Sequence, residues 1–137
     1  MENCIFCQIV NKKSPAYIIA ENKNALAFLD IHPVANGHTI IISKKHYVDW
    51  QHTPLNVLKD IVALSQEVVE KLDNVFKPFG YNYISNQGSM ASQVIFHVHF
   101  HVIPKYYYEQ GFKIAHGEIK TQEVEKIYQQ LQKKHHM

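Results

Sequence analysis

The segment that most constrains this chain runs from Val94 to Pro104 and has the sequence V-I-F-H-V-H-F-H-V-I-P. Its histidines, His97, His99 and His101, occupy alternate positions with apolar residues between them. Because successive side chains of a β-strand point to opposite faces, this alternation predicts a strand with all three imidazoles on one face. We expect the apolar face to join the core and the histidine face to stay open.

Three imidazoles on one face of a strand indicate a catalytic or metal-binding role rather than a packing role. An imidazole can act as a nucleophile, as a proton carrier near neutral pH, or as a neutral metal ligand. His-x-His on a strand is also typical of zinc sites that keep one coordination position open. The spacing alone is therefore compatible with a catalytic histidine site and with a three-histidine metal site.

The composition favours an ordinary globular protein with a small-molecule ligand. With 137 residues, 46% of them hydrophobic, the chain is expected to form a single domain over 1–137. The net charge of +2 comes with 14 scattered Lys and no Arg, which predicts neither a nucleic-acid nor a membrane partner. A bound phosphate would have to be held by histidine, amide and backbone N–H donors.

The start of the chain carries no signal-peptide pattern, and no apolar run is long enough to span a bilayer. We therefore expect a cytoplasmic protein, in which cysteines are more often thiols or metal ligands than a structural disulfide. Cys4 and Cys7 form a C-x-x-C at metal-ligand spacing, and His46 is a third candidate ligand. The alternatives are two small packing residues or, less favoured, a redox dithiol.

The distribution of apolar and turn-forming residues predicts an α+β fold. Thr53-Pro54 followed by apolar residues at helical spacing predicts one long central helix that ends before Pro78, and a C-terminal helix is expected over Glu118–Lys134. We expect an antiparallel sheet of about five strands, with the helices on the side of the sheet opposite the histidines. Besides the histidine strand, the predicted strands are 17–20, 25–29, 38–43 and 81–86.

The motif H-φ-H-φ-H-φ-φ over 97–103 resembles the signature of the histidine triad (HIT) superfamily of nucleotide hydrolases and transferases. Residues 86–93 are similar to the N-x-G-x-x-A-G-Q segment that precedes that triad, and 27–33 resemble the nucleotide-binding strand and loop. The C-x-x-C opening is similar to that of the Hint-like branch. The resemblance covers about 4–104, so it implies a HIT-like fold with a variable tail over 105–137.

The resemblance implies a two-step nucleotidyl transfer. His99 would attack the α-phosphorus of a nucleoside monophosphate conjugate, and water would then hydrolyse the nucleotidyl-histidine. The carbonyl of His97 would hold the proton on the other ring nitrogen of His99, His101 would donate to phosphate oxygens, and His38 would support this network. Simple structural roles are the alternative for each residue.

The same resemblance implies a nucleotide site. Asp30 would accept the ribose hydroxyls, unless it is only a turn residue. Asn86 and Gln93, with the backbone around Ser92 and Val94, would contact the phosphate and the leaving group, although Asn86 could simply end its strand. The residues expected to form an apolar slot for the base, or else plain core, are Phe6, Ile18, Phe28, Ile31 and His32.

Two residues depart from the family pattern. Ser92 replaces the usual Gly, which adds a side chain near the expected phosphate, and Val94 stands where relatives commonly carry a hydroxyl that assists the leaving group. We therefore expect slower turnover of conjugates with poor leaving groups.

The resemblance also implies a structural zinc bound by Cys4, Cys7, His46 and His97, with no organic cofactor. It implies a homodimer that pairs through the central helix and an adjoining strand. The leading functional hypothesis is a hydrolase of purine nucleoside 5'-phosphoramidates. The alternatives are a Fhit-like dinucleoside polyphosphate hydrolase and a nucleotide-binding regulatory scaffold.

Overall fold

A computed structural model describes residues 3–134 and contains one five-stranded sheet, in the order β1-β2-β3-β5-β4, in which all neighbouring strands are antiparallel. The predicted α+β class is confirmed. The elements are α1 (Ile5–Val10), β1 (Ile18–Glu21), β2 (Ala25–Leu29), β3 (Thr39–Ser43), α2 (Leu55–Phe76), β4 (Gly80–Ile84), a 3-10 turn (Ser89–Ala91), β5 (His99–Lys105) and α3 (Val124–Lys134).

The two faces of β5 follow the predicted alternation. Phe100 and Val102 point toward α2, where they share a buried cluster with Ile61, Leu64 and Val68 of the helix. This burial provides the main hydrophobic stabilisation of the fold, since α2 packs across the whole sheet, including β4, whose Tyr81 hydroxyl donates to Asp73 of the helix. His99 and His101 consequently lie on the opposite face of the sheet.

That opposite face is covered, contrary to the expectation that it stays open and that the helices lie on one side. Phe6 and Ile9 of α1 pack there with Ile40, Ile42 and Phe28 in a second buried cluster. The sequence pattern predicts no helix over the C-x-x-C segment, but α1 forms there and lies on this face because it buries Phe6 and Ile9. The histidines of β5 therefore lie beneath a helix.

The histidine strand is shorter than predicted. It begins at His99 rather than Val94, because its pairing with β3 ends at Ile42↔His99 and β3 itself ends at Ser43. The preceding residues have no strand to pair with, and the N–H of Val98 donates instead to a loop carbonyl, that of Tyr47. His97 therefore lies just outside the sheet.

The central helix begins one residue later than predicted. Pro54 is its N-cap rather than its first helical residue, and the Thr53 hydroxyl donates to the Asp49 carbonyl instead of capping the helix. The helix ends at Phe76, where Lys77 adopts a left-handed conformation with φ of 50°.

The C-terminal helix is also shorter than predicted and begins at Val124 instead of Glu118. Its side chains are exposed over 124–133, so the helix gains little stability from packing and depends on the intrinsic helix propensity of its residues.

Over residues 3–134, no helix combines the length and apolar character needed to cross a bilayer.

Shortening single side chains of the central helix should distinguish a core position from a surface position by the loss of stability. Ile61 is fully buried whereas Val75, on the same helix, is mostly exposed. Ile61→Ala should lower the free energy of unfolding by about 3 kcal/mol because it removes buried methyl groups and leaves a cavity. Val75→Ala, the matched control, should change it by less than about 0.5 kcal/mol. Urea denaturation measures both values, and equal losses would contradict this packing.

Candidate functional site

A cavity of about 430 Å³ lies on the histidine face of the sheet, between α1, the end of β2 and the loop that precedes β5. It brings together most of the residues that the sequence singled out. Those that line it are Phe6, Phe28, Asp30, Ile31, His32, Asn86, Ser92, Val94, His99 and His101.

Two residues expected to contact the nucleotide do not line this cavity. Ile18 is half exposed on the edge strand β1. Gln93 is only 4% exposed and its amide is engaged, since Nε2 donates to the carbonyls of Val48 (2.8 Å) and Ile95 (3.0 Å) and Oε1 accepts the N–H of Gly88 (2.8 Å). The expectation that Gln93 contacts phosphate is thus not supported by its position, and Gln93 instead organises the loop.

Several residues that line the cavity were not expected from the sequence. Ile5 and Ile9 stand four apart on α1, and this helical spacing within the C-x-x-C segment was the available signal. The other missed residues are Ser14, Pro15, Ala16, Leu29, Ile40 and Ile95.

The central triad residue has a defined proton arrangement. His99 Nδ1 lies 2.8 Å from the carbonyl oxygen of His97, and because a carbonyl only accepts, Nδ1 carries the proton. In the neutral ring, Nε2 then has a free lone pair. Phe6 packs edge-on against His99 with ring centroids 5.0 Å apart, which restricts rotation of the imidazole. His99 can therefore act as a nucleophile.

His101 is oriented by a second histidine. The backbone N–H of Val34 donates to His38 Nδ1 (3.2 Å), so the proton of neutral His38 is on Nε2, 2.9 Å from His101 Nδ1. His101 Nδ1 consequently accepts, and its own proton is on Nε2. Asp30 Oδ2 lies 3.5 Å from His38 Nε2, which places a carboxylate beside the pair. His101 can thus serve as a hydrogen-bond donor.

Burial keeps these imidazoles neutral. It lowers the pKa of His101 to about 4, with the neighbouring His99 and His38 lowering it further. The pKa of His99 is likewise lowered by burial, against the opposing effect of its bond to the His97 carbonyl, and that of His38 is lowered by burial against the attraction of Asp30. A neutral His99 is the form that can attack an electrophile at pH 7.

His97 faces away from the cavity, toward two thiols. It is fully buried; its Nε2 lies 2.7 Å from the Ser43 carbonyl, whereas its Nδ1 lies 3.3 Å from Cys4 Sγ and 3.5 Å from Cys7 Sγ. His46 Nδ1 approaches Cys7 Sγ at 3.3 Å. One ligand atom from each of these four side chains lies within 4.8 Å of every other, so the group can hold a metal ion.

The three triad imidazoles do not converge on a metal of their own. Within residues 3–134, the only other convergent group is Asp30, His38 and His101, whose two imidazoles already share a hydrogen bond. The three-histidine metal site proposed from spacing is therefore not formed.

The loop before β5 places a side chain in an unfavourable backbone conformation at the cavity wall. Ser92 has φ of 74°, in the left-handed region where Gly is preferred. Its N–H donates to the Ser89 carbonyl and its own carbonyl accepts from Asn86 Nδ2, which fixes the turn. The hydroxymethyl group that departs from the family pattern thus lies beside the cavity.

Comparison with known proteins matches residues 11–108 of the chain to the HIT domain. This chain belongs to the HIT family. It is 43% identical over 127 residues to an uncharacterised HIT-like protein from Mycoplasma genitalium, covering 93% of this chain and 90% of the relative. It is 39% identical over 107 residues to the adenosine 5'-monophosphoramidase of Candida albicans, covering 75% and 70%.

Solved HIT structures share the fold. A HIT family protein from Bacillus anthracis superposes with a TM-score of 0.87 at 30% identity, covering 97% of this chain and 94% of that one. A zinc-bound histidine triad family protein from Mycobacterium smegmatis gives a TM-score of 0.76 at 34% identity, covering 85% of each chain.

The lowered histidine pKa values predict a pH-dependent stability for this HIT domain. His101 titrates near 4 when folded and near its ordinary 6.5 when unfolded, so below pH 6.5 the unfolded chain binds more protons. The free energy of unfolding should therefore fall as pH drops from 7 to 5. In His101→Gln this loss should be smaller by about 1–2 kcal/mol. Urea denaturation at both pH values tests this, and an unchanged pH dependence in the variant would contradict it.

Proposed function

We propose that the protein hydrolyses purine nucleoside 5'-phosphoramidates and related nucleoside monophosphate conjugates through a covalent nucleotidyl-histidine on His99. The observation that carries the proposal is the hydrogen bond from His99 Nδ1 to the His97 carbonyl, which leaves Nε2 unprotonated beside the cavity. The phosphoramidase named among the relatives supports the substrate class.

The nucleotide would lie with its base in the apolar part of the cavity. Phe6 and Phe28 form a buried floor there, while Ile31 is exposed at the rim beside His32. Asp30 Oδ1 accepts the N–H of His32 (2.8 Å), which orients the carboxylate and leaves lone pairs for ribose hydroxyls. Asp30 would thus fix the sugar between base and phosphate.

In the first step the His99 Nε2 lone pair attacks the phosphorus. A P–Nε2 bond forms, the P–N bond to the amine breaks, and the amine leaves with that electron pair and takes a proton from solvent. The His101 Nε2–H donates to a non-bridging oxygen, and Asn86 supplies a further amide donor in place of the absent arginine. The positive charge that develops on the ring is stabilised by the carbonyl of His97.

In the second step water attacks the same phosphorus. The new P–O bond replaces the P–Nε2 bond, water releases one proton to solvent, and His99 regains its free lone pair. The product is a nucleoside monophosphate. His38 keeps His101 in the same tautomer through both steps, because its own Nδ1 is held by the Val34 N–H.

We also propose that Cys4, Cys7, His46 and His97 bind a structural zinc. The donors fit, since two thiols and two imidazoles are the set that zinc takes in closed tetrahedral sites, and the zinc-bound mycobacterial relative supports the metal. The Ser43 carbonyl already holds the His97 Nε2 proton, so Nδ1 is the unprotonated atom that a metal requires. His97 then acts as a ligand, not as a proton relay.

A homodimer through α2 and β4 is part of the proposal. β4 is an edge strand of the sheet, so its outer backbone groups lie open to a second chain. Phe76, Phe79 and Tyr83 are exposed at the end of α2, the following connection and β4. Exposed aromatic side chains next to an open strand edge favour pairing with a second copy of the chain.

Removal of the nucleophile tests the function. His99→Ala should reduce hydrolysis of adenosine 5'-phosphoramidate by at least about a thousandfold, because no other group forms the covalent intermediate. Binding of adenosine monophosphate should change by less than about threefold, since His99 does not hold base or ribose. Released monophosphate is measured by chromatography and binding by calorimetry.

His116→Ala, at an exposed position in the tail, is the matched control and should keep full activity. Diadenosine polyphosphate assayed in parallel separates the second hypothesis. Faster release of adenosine monophosphate from that substrate, or full activity of His99→Ala, would overturn the proposal.

Metal removal tests the zinc. A strong chelator should lower the melting temperature by several degrees, because removal of the metal breaks the link between the α1 segment and the segment around His97. Cys4→Ser with Cys7→Ser should melt at the chelated temperature and show no response to chelator. Metal content by mass spectrometry should be one zinc per chain in the wild type and near zero in the double variant. A wild type that contains no metal would contradict the proposal.

A further inference from the structure

The chain that leaves β5 folds back against the loop between β2 and β3. Lys105, the last residue of β5, fixes this fold-back, because its Nζ donates to the carbonyl of Gln110 and to that of Phe112 (2.5 Å). The segment 105–112, named the tail turn, is thereby held at the end of the strand that carries the histidines.

Two residues of the tail turn contact the loop directly. The Tyr106 hydroxyl donates to the carbonyl of Asn36 (2.7 Å). The backbone of Gly111, with φ of 73°, approaches the Val34 carbonyl so closely that a Cβ atom at this position would lie 2.8 Å from that oxygen. Because a cavity of about 470 Å³ lies between the loop and the tail turn, these contacts are separate points of attachment rather than continuous packing. The tail turn thus holds both ends of the segment 34–36.

The segment 34–36 sets the direction of the hydrogen bond between two imidazoles. The Val34 N–H donates to His38 Nδ1, and the His38 N–H donates to the Ala35 carbonyl (3.1 Å). While the Val34 N–H is in place, His38 carries its proton on Nε2 and donates to His101 Nδ1. Without it, the proton of His38 can sit on Nδ1, and His38 Nε2 then accepts from His101 Nδ1. His101 would be left with a bare Nε2 where the proposed mechanism requires a donor.

We propose that the tail turn positions the pair of His38 and His101 through the segment 34–36, and that Tyr106 and Gly111 are positioning residues for the hydrolysis. The inference rests on the proposed function. Neither residue touches the reacting atoms, since both act on the loop backbone that determines which nitrogen of His101 carries the proton.

Small changes at the two contacts test the inference. Tyr106→Phe removes only the hydroxyl and should lower kcat for adenosine 5'-phosphoramidate about fivefold, the effect of one lost hydrogen bond. Gly111→Ala places a methyl group against the Val34 carbonyl at a strained φ and should lower kcat at least about tenfold. KM should stay within about twofold in both variants, because the residues assigned to base and ribose lie outside the segment 34–36.

Each variant has a matched control in the same part of the chain. Tyr108→Phe removes a hydroxyl from a side chain that is 86% exposed. Gly117→Ala adds a Cβ atom that meets no other atom within 4 Å. Both controls should keep the wild-type kcat and KM.

The tautomer of His101 distinguishes positioning from a general loss of structure. Long-range ¹⁵N–¹H correlation spectra at pH 7 should show His101 protonated on Nε2 in the wild type and in both controls. In Tyr106→Phe and Gly111→Ala a larger fraction of His101 should carry the proton on Nδ1.

A lowered kcat with an unchanged His101 spectrum, or a wild-type kcat in both variants, would overturn the inference while the proposed function stands. Tyr106→Phe is nearly isosteric, so it decides the outcome if Gly111→Ala does not fold. A wild type that fails to hydrolyse the conjugate would overturn the proposed function, and the His101 spectra alone would then decide whether the tail turn sets the tautomer.

Discussion

The proposed chemistry depends on the hydrogen bond between His99 Nδ1 and the backbone carbonyl of His97, at 2.8 Å. It forms where the chain enters the sheet, so the acceptor lies in the irregular segment and the donor on the first residue of β5. The bond selects one tautomer of His99, and burial lowers the pKa of His99 so that its ring stays neutral. A reactive nitrogen is thereby aimed at the cavity without any charged partner in contact with it.

The residue that carries this acceptor, His97, is itself held by two parts of the fold. The His97 ring is fixed on one side by the Ser43 carbonyl at the end of β3 and on the other by the two thiols of the α1 segment. The candidate metal site and the proposed nucleophile therefore share one residue, His97, whose side chain belongs to the metal site and whose backbone carbonyl accepts the hydrogen bond of His99. A disturbance of the N-terminal helix should reach His99 by this route, although α1 contributes no reacting group.

The alternation of residues alone was enough to predict the two faces of β5. With period-two spacing, Phe100 and Val102 point to the face opposite His99 and His101, and that face packs against α2. It did not predict where the strand begins, since that depends on β3 ending at Ser43, a limit set by the partner strand. Nor did the sequence predict the backbone partners of the Gln93 amide, for a similar reason: one of its acceptors, the Val48 carbonyl, is 45 residues away in sequence. Local patterns predict elements and faces, whereas the partners of buried amides depend on tertiary contacts.

The proton position on His99 tests this account most directly. Long-range ¹⁵N–¹H correlation spectra of protein with labelled histidine, assigned with a His99→Gln variant, distinguish the two neutral tautomers from the cation. At pH 7 His99 should show a protonated Nδ1 and a bare Nε2. A proton on Nε2, or on both nitrogens, would contradict the account, because the atom assigned to attack phosphorus would then have no lone pair.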